Sequence, residues 1–155
     1  MNIRFYNARI LTMKENEEIF EGELHVKGNK ITYVGSEIKE VESKWDRQID
    51  ARGNLLMPGF KNAHTHSAMT FLRSFADDLP TQEWLNEMVF PMEEKIKDDD
   101  IYHLSKLAFM EYLTSGITAV FDMYLSPDAV ANAARECGFR TVIVGGFNDF
   151  THTFD

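Results

Sequence analysis

Alternating apolar and polar positions in the first 57 residues predict a series of short β-strands. Two of these runs flank Gly28-Asn29-Lys30, a pattern typical of a tight hairpin turn. The predicted strands are Ile3–Leu11, Ile19–Lys27, Ile31–Gly35, Arg47–Ala51 and Asn54–Met57. Because so few short strands cannot bury a core alone, we expect residues 1–57 to need strands from elsewhere.

The pattern changes at Pro58, where continuous apolar runs begin to alternate with helical ones. The predicted strands are Phe60–His64, Ile117–Phe121 and Arg140–Val144, and the predicted helices are Asp99–Ser115 and Ser126–Cys137. Strands of this kind alternating with amphipathic helices indicate an α/β fold with a parallel sheet. Thr65–Lys97 and the last residues, from Gly145 on, have no regular pattern.

Residues 58–155 therefore hold three predicted parallel strands and two helices. A parallel sheet must be covered on both faces, and a closed (β/α) barrel needs eight strands. We expect the chain to be part of a longer protein or one half of a split one. Its open sheet edge and uncovered apolar face should make the isolated chain associate or aggregate.

Composition and charge exclude several kinds of partner. The chain has 25 acidic and 16 basic residues and a net charge of −9, whereas a nucleic-acid backbone requires clustered Lys and Arg. Its single cysteine, Cys137, allows no intrachain disulfide, and we expect a buried structural thiol there. No signal-peptide core or membrane-length apolar stretch is present. We expect a cytoplasmic protein that binds a small molecule and neither nucleic acid nor membrane.

His64-Thr65-His66 is the strongest chemical signal in the chain. In an extended strand, residues i and i+2 point to the same face, so both imidazoles can reach one metal ion. The pair ends the first predicted barrel strand, and active sites of such barrels are built at that end. A bare pair of this spacing is common, but the surrounding β/α units favour a metal site over ordinary loop residues.

Several segments resemble those of one known family. Pro58-Gly59-Phe60-Lys61-Asn62-Ala63-His64-Thr65-His66 resembles the first-strand motif of the amidohydrolase superfamily. The segments that narrow the likeness are Met69–Arg73, Asp77–Pro80, Glu83–Leu85, Phe90–Glu93 and Phe121–Tyr124. Together they are most similar to the deaminase and chlorohydrolase branch, and within it to methylthioadenosine/S-adenosylhomocysteine deaminases.

The resemblance implies the N-terminal portion of a (β/α)8 TIM-like metal-dependent hydrolase barrel, preceded by half of a small β-sandwich formed by residues 1–57. His64 and His66 would be two ligands of one Zn²⁺, or another divalent metal such as Fe²⁺. In such enzymes the remaining ligands and a proton-transferring Glu lie on later strands, so no catalytic residue is expected in residues 1–155. The metal would activate water as hydroxide, which attacks a ring carbon and releases ammonia.

Two further residues match substrate-binding positions of that branch. Glu93 matches the carboxylate that holds ribose hydroxyls, which suits a group that accepts two hydrogen bonds. The alternative is a solvated acid at a helix start, beside Glu94 and Lys95. Trp84 matches a pocket aromatic, and its alternative is plain packing.

The chain departs from the branch at Gly145, which is followed by Gly146-Phe147-Asn148. Nucleoside deaminases of this type carry an arginine at that position. The loss of its charge and five donors argues against a substrate with a carboxylate, such as S-adenosylhomocysteine, more than against deamination.

Other ionisable residues have weaker assignments. Asp122 would either accept a hydrogen bond from a ligand histidine or cap a turn. His152, with Asp149 and Asp155, is interpreted as a loop residue and not a metal ligand. His25 is expected at the surface of a strand.

These observations favour a metal-dependent hydrolase that deaminates an aminopurine nucleoside or a related cyclic amidine. The alternatives of the same class are a guanine or cytosine deaminase and a triazine chlorohydrolase. The alternative of another class is a non-catalytic fragment, or a half that needs a second chain. The expected macromolecular partners are a second copy of the chain or the missing C-terminal half.

Overall fold

The structure is a computed structural model that describes residues 1–38 and 44–145. It divides into two compact units, Met1–Pro58 and Gly59–Asp155.

The first unit is a five-stranded β-sheet. Its strands are β1 (Asn2–Ile10), β2 (Phe20–Lys27), β3 (Lys30–Gly35), β4 (Arg47–Asp50) and β5 (Leu55–Leu56). β1 pairs antiparallel with β2, and β2 with β3, whereas β4 and β5 pair with β1 in parallel. Gly28, in the turn between β2 and β3, has a φ of 63°, which glycine adopts without steric cost. All five predicted strands are confirmed.

A buried ion pair lies in this sheet. The Glu23 side chain is 0% exposed, and Arg4 Nε donates a hydrogen bond to Glu23 Oε2 over 2.8 Å. His25 Nε2 lies 2.7 Å from Glu23 Oε1. The expectation that His25 lies at the surface is wrong, because it is 6% exposed. Its position two residues after Glu23 puts both side chains on the same face of β2, and its ring packs against Tyr33 with centroids 4.9 Å apart.

The second unit is a three-stranded parallel sheet in the order β6-β7-β8, with helices between the strands. Its strands are β6 (Phe60–Thr65), β7 (Ile117–Met123) and β8 (Arg140–Val144), and its long helices are α1 (Asp98–Thr114) and α2 (Pro127–Cys137). The predicted strands and both predicted helices are confirmed. Gly116 and Gly138, which end the helices, have φ values of 79° and 63°.

Between β6 and α1 the chain forms helical turns that the sequence pattern did not predict. A 3-10 helix covers Ser67–Leu72. A second stretch, the pocket helix, consists of an α-helical turn (Thr81–Glu83), a π-helical turn (Trp84–Val89) and another α-helical turn (Phe90–Glu93). In the described part of the chain, no helix is long and apolar enough to cross a membrane.

The core of this unit lies between the sheet and the two long helices. Phe109 of α1 is fully buried and stacks on Phe139, with ring centroids 4.9 Å apart. Cys137 is partly buried and packs against the same core. The opposite face of the sheet exposes large apolar side chains, among them Phe121 and Val142, which pair across β7 and β8 and are 43% and 58% exposed. This is the face that a closed barrel would enclose.

The Glu23 ion pair makes a prediction about acid stability. Burial raises the pKa of the Glu23 carboxyl group, but hydrogen bonds from Arg4 and His25 outweigh burial and hold that pKa below its ordinary value. Such a group stabilises the folded state above its unfolded pKa, about 4.3, and the contribution is lost as the pH falls through the lower, folded pKa. We therefore expect the free energy of unfolding to fall on acidification below about pH 4.

In urea denaturation, Glu23→Gln should remove much of that fall and lower stability at neutral pH by about 2 kcal/mol. Glu21→Gln, at an exposed position of the same strand, is the matched control and should leave the fall unchanged. A Glu23→Gln variant that kept the full acid dependence would contradict the assignment.

Candidate metal centre and adjoining pocket

His64 and His66 lie at the carboxyl end of β6, His64 in the strand and His66 directly after it. Their ring centroids are 4.9 Å apart and the ring planes are nearly perpendicular, at 85°. The pairing of β6 with β7 is irregular between Asn62 and Thr65, where the chain passes from strand to helical turn. The structure thus brings the imidazoles of the two predicted ligands together at the carboxyl end of the strands, where the active sites of such barrels form.

The His66 ring is held by the neighbouring strand. His66 Nδ1 lies 2.5 Å from the carbonyl oxygen of Met123, the last residue of β7. Because a carbonyl oxygen can only accept, Nδ1 must carry the proton and donate it. In the neutral tautomer that this bond favours, the lone pair is on Nε2, the form in which histidine binds a metal.

Asp122 lies beneath this pair, fully buried within β7. Its Oδ1 accepts a hydrogen bond from the backbone N–H of Ser67 over 3.2 Å. Burial raises the pKa of the Asp122 carboxyl group, and the bonds from Ser67 and the nearby His66 only partly offset this. Asp122 is therefore not a turn acid; it fixes the backbone next to His66, and its Oδ2 has no hydrogen-bond partner among the described residues.

Tyr112, on α1, holds the residues on both sides of His66. Its hydroxyl group lies 2.5 Å from Thr65 Oγ1 and 3.3 Å from Ser67 Oγ. Sequence patterns gave no reason to single out Tyr112, since it occupies an ordinary position on the inner side of a helix.

The donor set fits a divalent metal in part. Two neighbouring imidazoles, one with its Nε2 free for coordination, and an orphaned buried carboxylate oxygen are the groups expected around zinc. Within residues 1–38 and 44–145, however, no three His, Cys, Asp or Glu side chains converge closely enough to hold a metal ion. A catalytic zinc site uses at least three protein ligands, so the two histidines do not complete one by themselves.

A pocket of about 190 Å³ adjoins His66. It lies between the end of β7 and the pocket helix, and its walls are mostly apolar. The lining residues that matter for chemistry are His66, Trp84, Leu85, Glu93, Met123 and Tyr124. Such a pocket, apolar with a few polar groups, is typical of small-molecule sites.

Glu93 and Tyr124 are the polar pair of this pocket. Burial raises the pKa of the Glu93 carboxyl group, although the Tyr124 hydroxyl group and His66 act in the opposite direction. Burial and the neighbouring Glu93 raise the pKa of Tyr124, which is therefore a neutral donor at physiological pH. The two groups are close enough for each to shift the pKa of the other. Within the described residues, however, the Tyr124 hydroxyl group forms no hydrogen bond of normal geometry.

Trp84 lines the same pocket, and its indole N–H donates to the carbonyl oxygen of Phe75 over 3.3 Å. Glu93 and Trp84 thus lie in one pocket with His66, and their substrate-binding roles stay predictions. Tyr124 was not singled out, although it ends the segment Phe121–Tyr124 that follows the second barrel strand. The position of Tyr124 directly after β7 could have identified it, because residues at that end of a barrel strand often line the active site.

Two of the sequence assignments concern the end of the chain. His152, Asp149 and Asp155 lie outside the described residues, as does Gly146-Phe147-Asn148. Gly145 is described and exposed, directly after β8. A Cβ atom added there would meet only the Pro127 side chain, at an ordinary contact distance of 3.5 Å, so a larger residue is sterically possible.

A sequence profile of the amidohydrolase family matches residues 55–152. The chain belongs to this family. It is 46% identical over 144 residues to 5-methylthioadenosine/S-adenosylhomocysteine deaminase 1 of Archaeoglobus fulgidus, covering 93% of this chain and 32% of the relative. It is 42% identical over 147 residues to the corresponding deaminase of Pelotomaculum thermopropionicum, covering 94% and 34%. The chain therefore spans about a third of the length of the curated relatives it matches.

Solved structures show the same fold. An adenosine deaminase from Xanthomonas campestris with bound zinc matches with a TM-score of 0.79 and 29% identity, over 91% of this chain and 32% of that one. A variant of the atrazine chlorohydrolase of Arthrobacter aurescens TC1, complexed with zinc and atraton, has a TM-score of 0.79 and 25% identity, over 91% and 35%. The fold is thus that of the N-terminal part of an amidohydrolase barrel, and the zinc in these neighbours supports a divalent metal for the family.

The contact of Asp122 with Ser67 makes a prediction about metal affinity. The full-length enzyme is here the protein that contains this chain and has the length of its relatives. In that enzyme, Asp122→Ala should weaken zinc binding about 10- to 100-fold. The reason is that the backbone N–H of Ser67, next to His66, loses the Asp122 carboxylate as its buried hydrogen-bond acceptor. Competition with a chelator measures the affinity.

Asp122→Asn keeps an oxygen that can accept from Ser67 and should retain most of the affinity. Asp78→Ala, at an exposed loop position, is the control. Unchanged zinc affinity in Asp122→Ala would show that Asp122 does not position the site.

Proposed function

We propose that this chain forms part of the metal site and one wall of the substrate pocket of an enzyme that hydrolytically deaminates an aminopurine nucleoside. The observation that carries the proposal is the placement of His66 and Glu93 on one pocket, with His66 held in its metal-binding form by Met123. In the reaction, water adds its oxygen to the ring carbon that bears the amino group. The carbon–nitrogen bond then breaks, and ammonia leaves.

His64 and His66 would hold the metal, for which zinc is the first candidate and Fe²⁺ the second. Zinc in such a site makes water acidic enough to act as a nucleophile near neutral pH. The other ligands would come from the two thirds of the full-length enzyme that this chain does not span. The role of the present residues is to hold this end of β6: Met123 bonds to the His66 ring. Asp122 and Tyr112 bond to Ser67 and Thr65, the residues on either side of His66.

The pocket walls suit a nucleoside. Trp84 and Leu85 offer apolar surface to a planar base, and Glu93 offers a carboxylate that accepts hydrogen bonds from sugar hydroxyl groups. A chlorinated triazine, the second candidate through the structural likeness to the Arthrobacter enzyme, has no sugar hydroxyls to donate to Glu93. Ammonia release from adenosine compared with chloride release from atrazine separates the two functions.

The first test concerns the two histidines. In the full-length enzyme, His64→Ala and His66→Ala should each lose bound zinc and ammonia release, because each removes one ligand from a site that has few. Metal analysis and an ammonia assay measure both. His103→Ala, which removes an exposed histidine of α1, should change neither.

Residues 1–155 alone should release no ammonia and bind less than one zinc per chain, because two histidines do not complete a site. A His66→Ala enzyme with normal turnover would refute the ligand assignment. Full activity of a sample whose mass is confirmed as that of residues 1–155 would refute the proposal that further metal ligands come from outside this chain.

The second test concerns the choice between substrates. Without a cation at Gly145, we expect 5-methylthioadenosine to be preferred over S-adenosylhomocysteine. Gly145→Arg should raise kcat/KM for S-adenosylhomocysteine about tenfold relative to 5-methylthioadenosine, since an Arg–carboxylate bond contributes 1–2 kcal/mol.

Gly145→Gln, which adds a shorter polar side chain without a charge, is the control and should leave the ratio near that of the unmodified enzyme. An equal change of the ratio in both variants would show that side-chain size, and not charge, governs the preference.

A further inference from the structure

Tyr124 carries a buried hydroxyl group without a hydrogen-bond partner in the described part of the chain. The residue is 7% exposed and its ring belongs to the core between the sheet and the helices. A buried hydroxyl group left unpaired costs stability, so a partner should form in some working state of the protein. The ring is held in the core but also lines the pocket, so a partner has to approach from the pocket side.

The neighbour that can move is Glu93. It lies at the end of the pocket helix, is only partly buried, and its carboxyl group is beside the Tyr124 hydroxyl group. A hydrogen bond from Tyr124 Oη to one carboxylate oxygen of Glu93 would satisfy the buried hydroxyl group after a change in the orientation of the Glu93 side chain. Because both residues line the same pocket, a ligand that pulls on Glu93 can drive this change.

We propose that Tyr124 is a positioning residue for Glu93: its hydroxyl group donates to one carboxylate oxygen of Glu93 and so orients the carboxylate toward the hydroxyl groups of the ligand. The inference rests on the proposed function, in which Glu93 binds a sugar. Tyr124 acts through Glu93 and does not touch the reacting atoms.

This arrangement has a consequence for specificity. A carboxylate has two oxygens and accepts about four hydrogen bonds, of which Tyr124 takes one. Glu93 then remains an acceptor with a fixed direction, so it favours ligands that present hydroxyl donors. A ligand without sugar hydroxyl groups gains nothing from the fixed carboxylate.

The experiment compares adenosine with 2′,3′-dideoxyadenosine in the full-length enzyme. Tyr124→Phe removes only the hydroxyl group and keeps the buried ring, so the fold should be unaffected. For adenosine we expect KM to rise about tenfold, the effect of one hydrogen bond to a charged group, with kcat nearly unchanged. For the dideoxy compound we expect no difference between the two enzymes.

Two further variants sharpen the comparison. In a Glu93→Ala background, Tyr124→Phe should have no additional effect on KM for adenosine, because the residue through which it acts is absent. Tyr102→Phe removes a hydroxyl group that bonds to Glu136 at the surface, and it should leave all constants unchanged.

The outcomes separate this proposal from the proposed function. Equal KM for adenosine with and without the Tyr124 hydroxyl group, in an active deaminase, overturns the role of Tyr124 alone. The same increase in KM for both compounds, or in the Glu93→Ala background, also overturns it, because that result indicates a merely structural role. An enzyme that neither deaminates adenosine nor binds it by calorimetry overturns the proposed function, and the role of Tyr124 falls with it.

Discussion

A hydrogen bond between His66 Nδ1 and the carbonyl oxygen of Met123 joins the ends of two neighbouring parallel strands. It depends on the register that pairs Thr65 with Asp122, because this register brings the end of β7 beside the residue after β6. The carbonyl oxygen sets which ring nitrogen carries the proton, and thereby leaves the other one for a metal. The chemistry proposed for this protein thus depends on strand pairing, because the pairing places the carbonyl oxygen of Met123 against the His66 ring.

At the same end of the sheet, the residues that hold the backbone lie on one side and the residues that line the pocket lie on the other. Below it, Asp122 and Tyr112 fix Ser67 and Thr65 on either side of His66 through buried hydrogen bonds. Above it, the pocket helix adds Trp84 and Glu93 to a mostly apolar pocket. Polar groups under the strand end are nearly all used to fix the backbone, whereas those in the pocket keep free capacity for a ligand. Among the described groups beside His66, the Oδ2 atom of Asp122 is an exception, because it has no hydrogen-bond partner.

Much of the fold was predictable because β6, β7, β8, α1 and α2 have strong local patterns with glycine or proline at their ends. The pocket helix was not predictable in this way. Pro91 lies within it and lacks the N–H group that a helix needs, which argues against a helix. The π-helical turn accommodates it: the N–H of Phe90 bonds to the carbonyl oxygen of Leu85, five residues earlier. The prediction for His25 was wrong because polar residues on a strand usually face solvent. Here His25 and Glu23 are buried together and bond to each other.

The β/α order, the His64-Thr65-His66 pair at a strand end and the family membership could all be read from the amino-acid sequence, because each is a property of neighbouring residues. The protonated nitrogen of His66, the contact of Asp122 with Ser67 and the proximity of Tyr124 to Glu93 became visible only in the three-dimensional fold. These contacts join residues 31 to 57 positions apart. Whether two such side chains meet depends on register and helix packing, which no local pattern encodes.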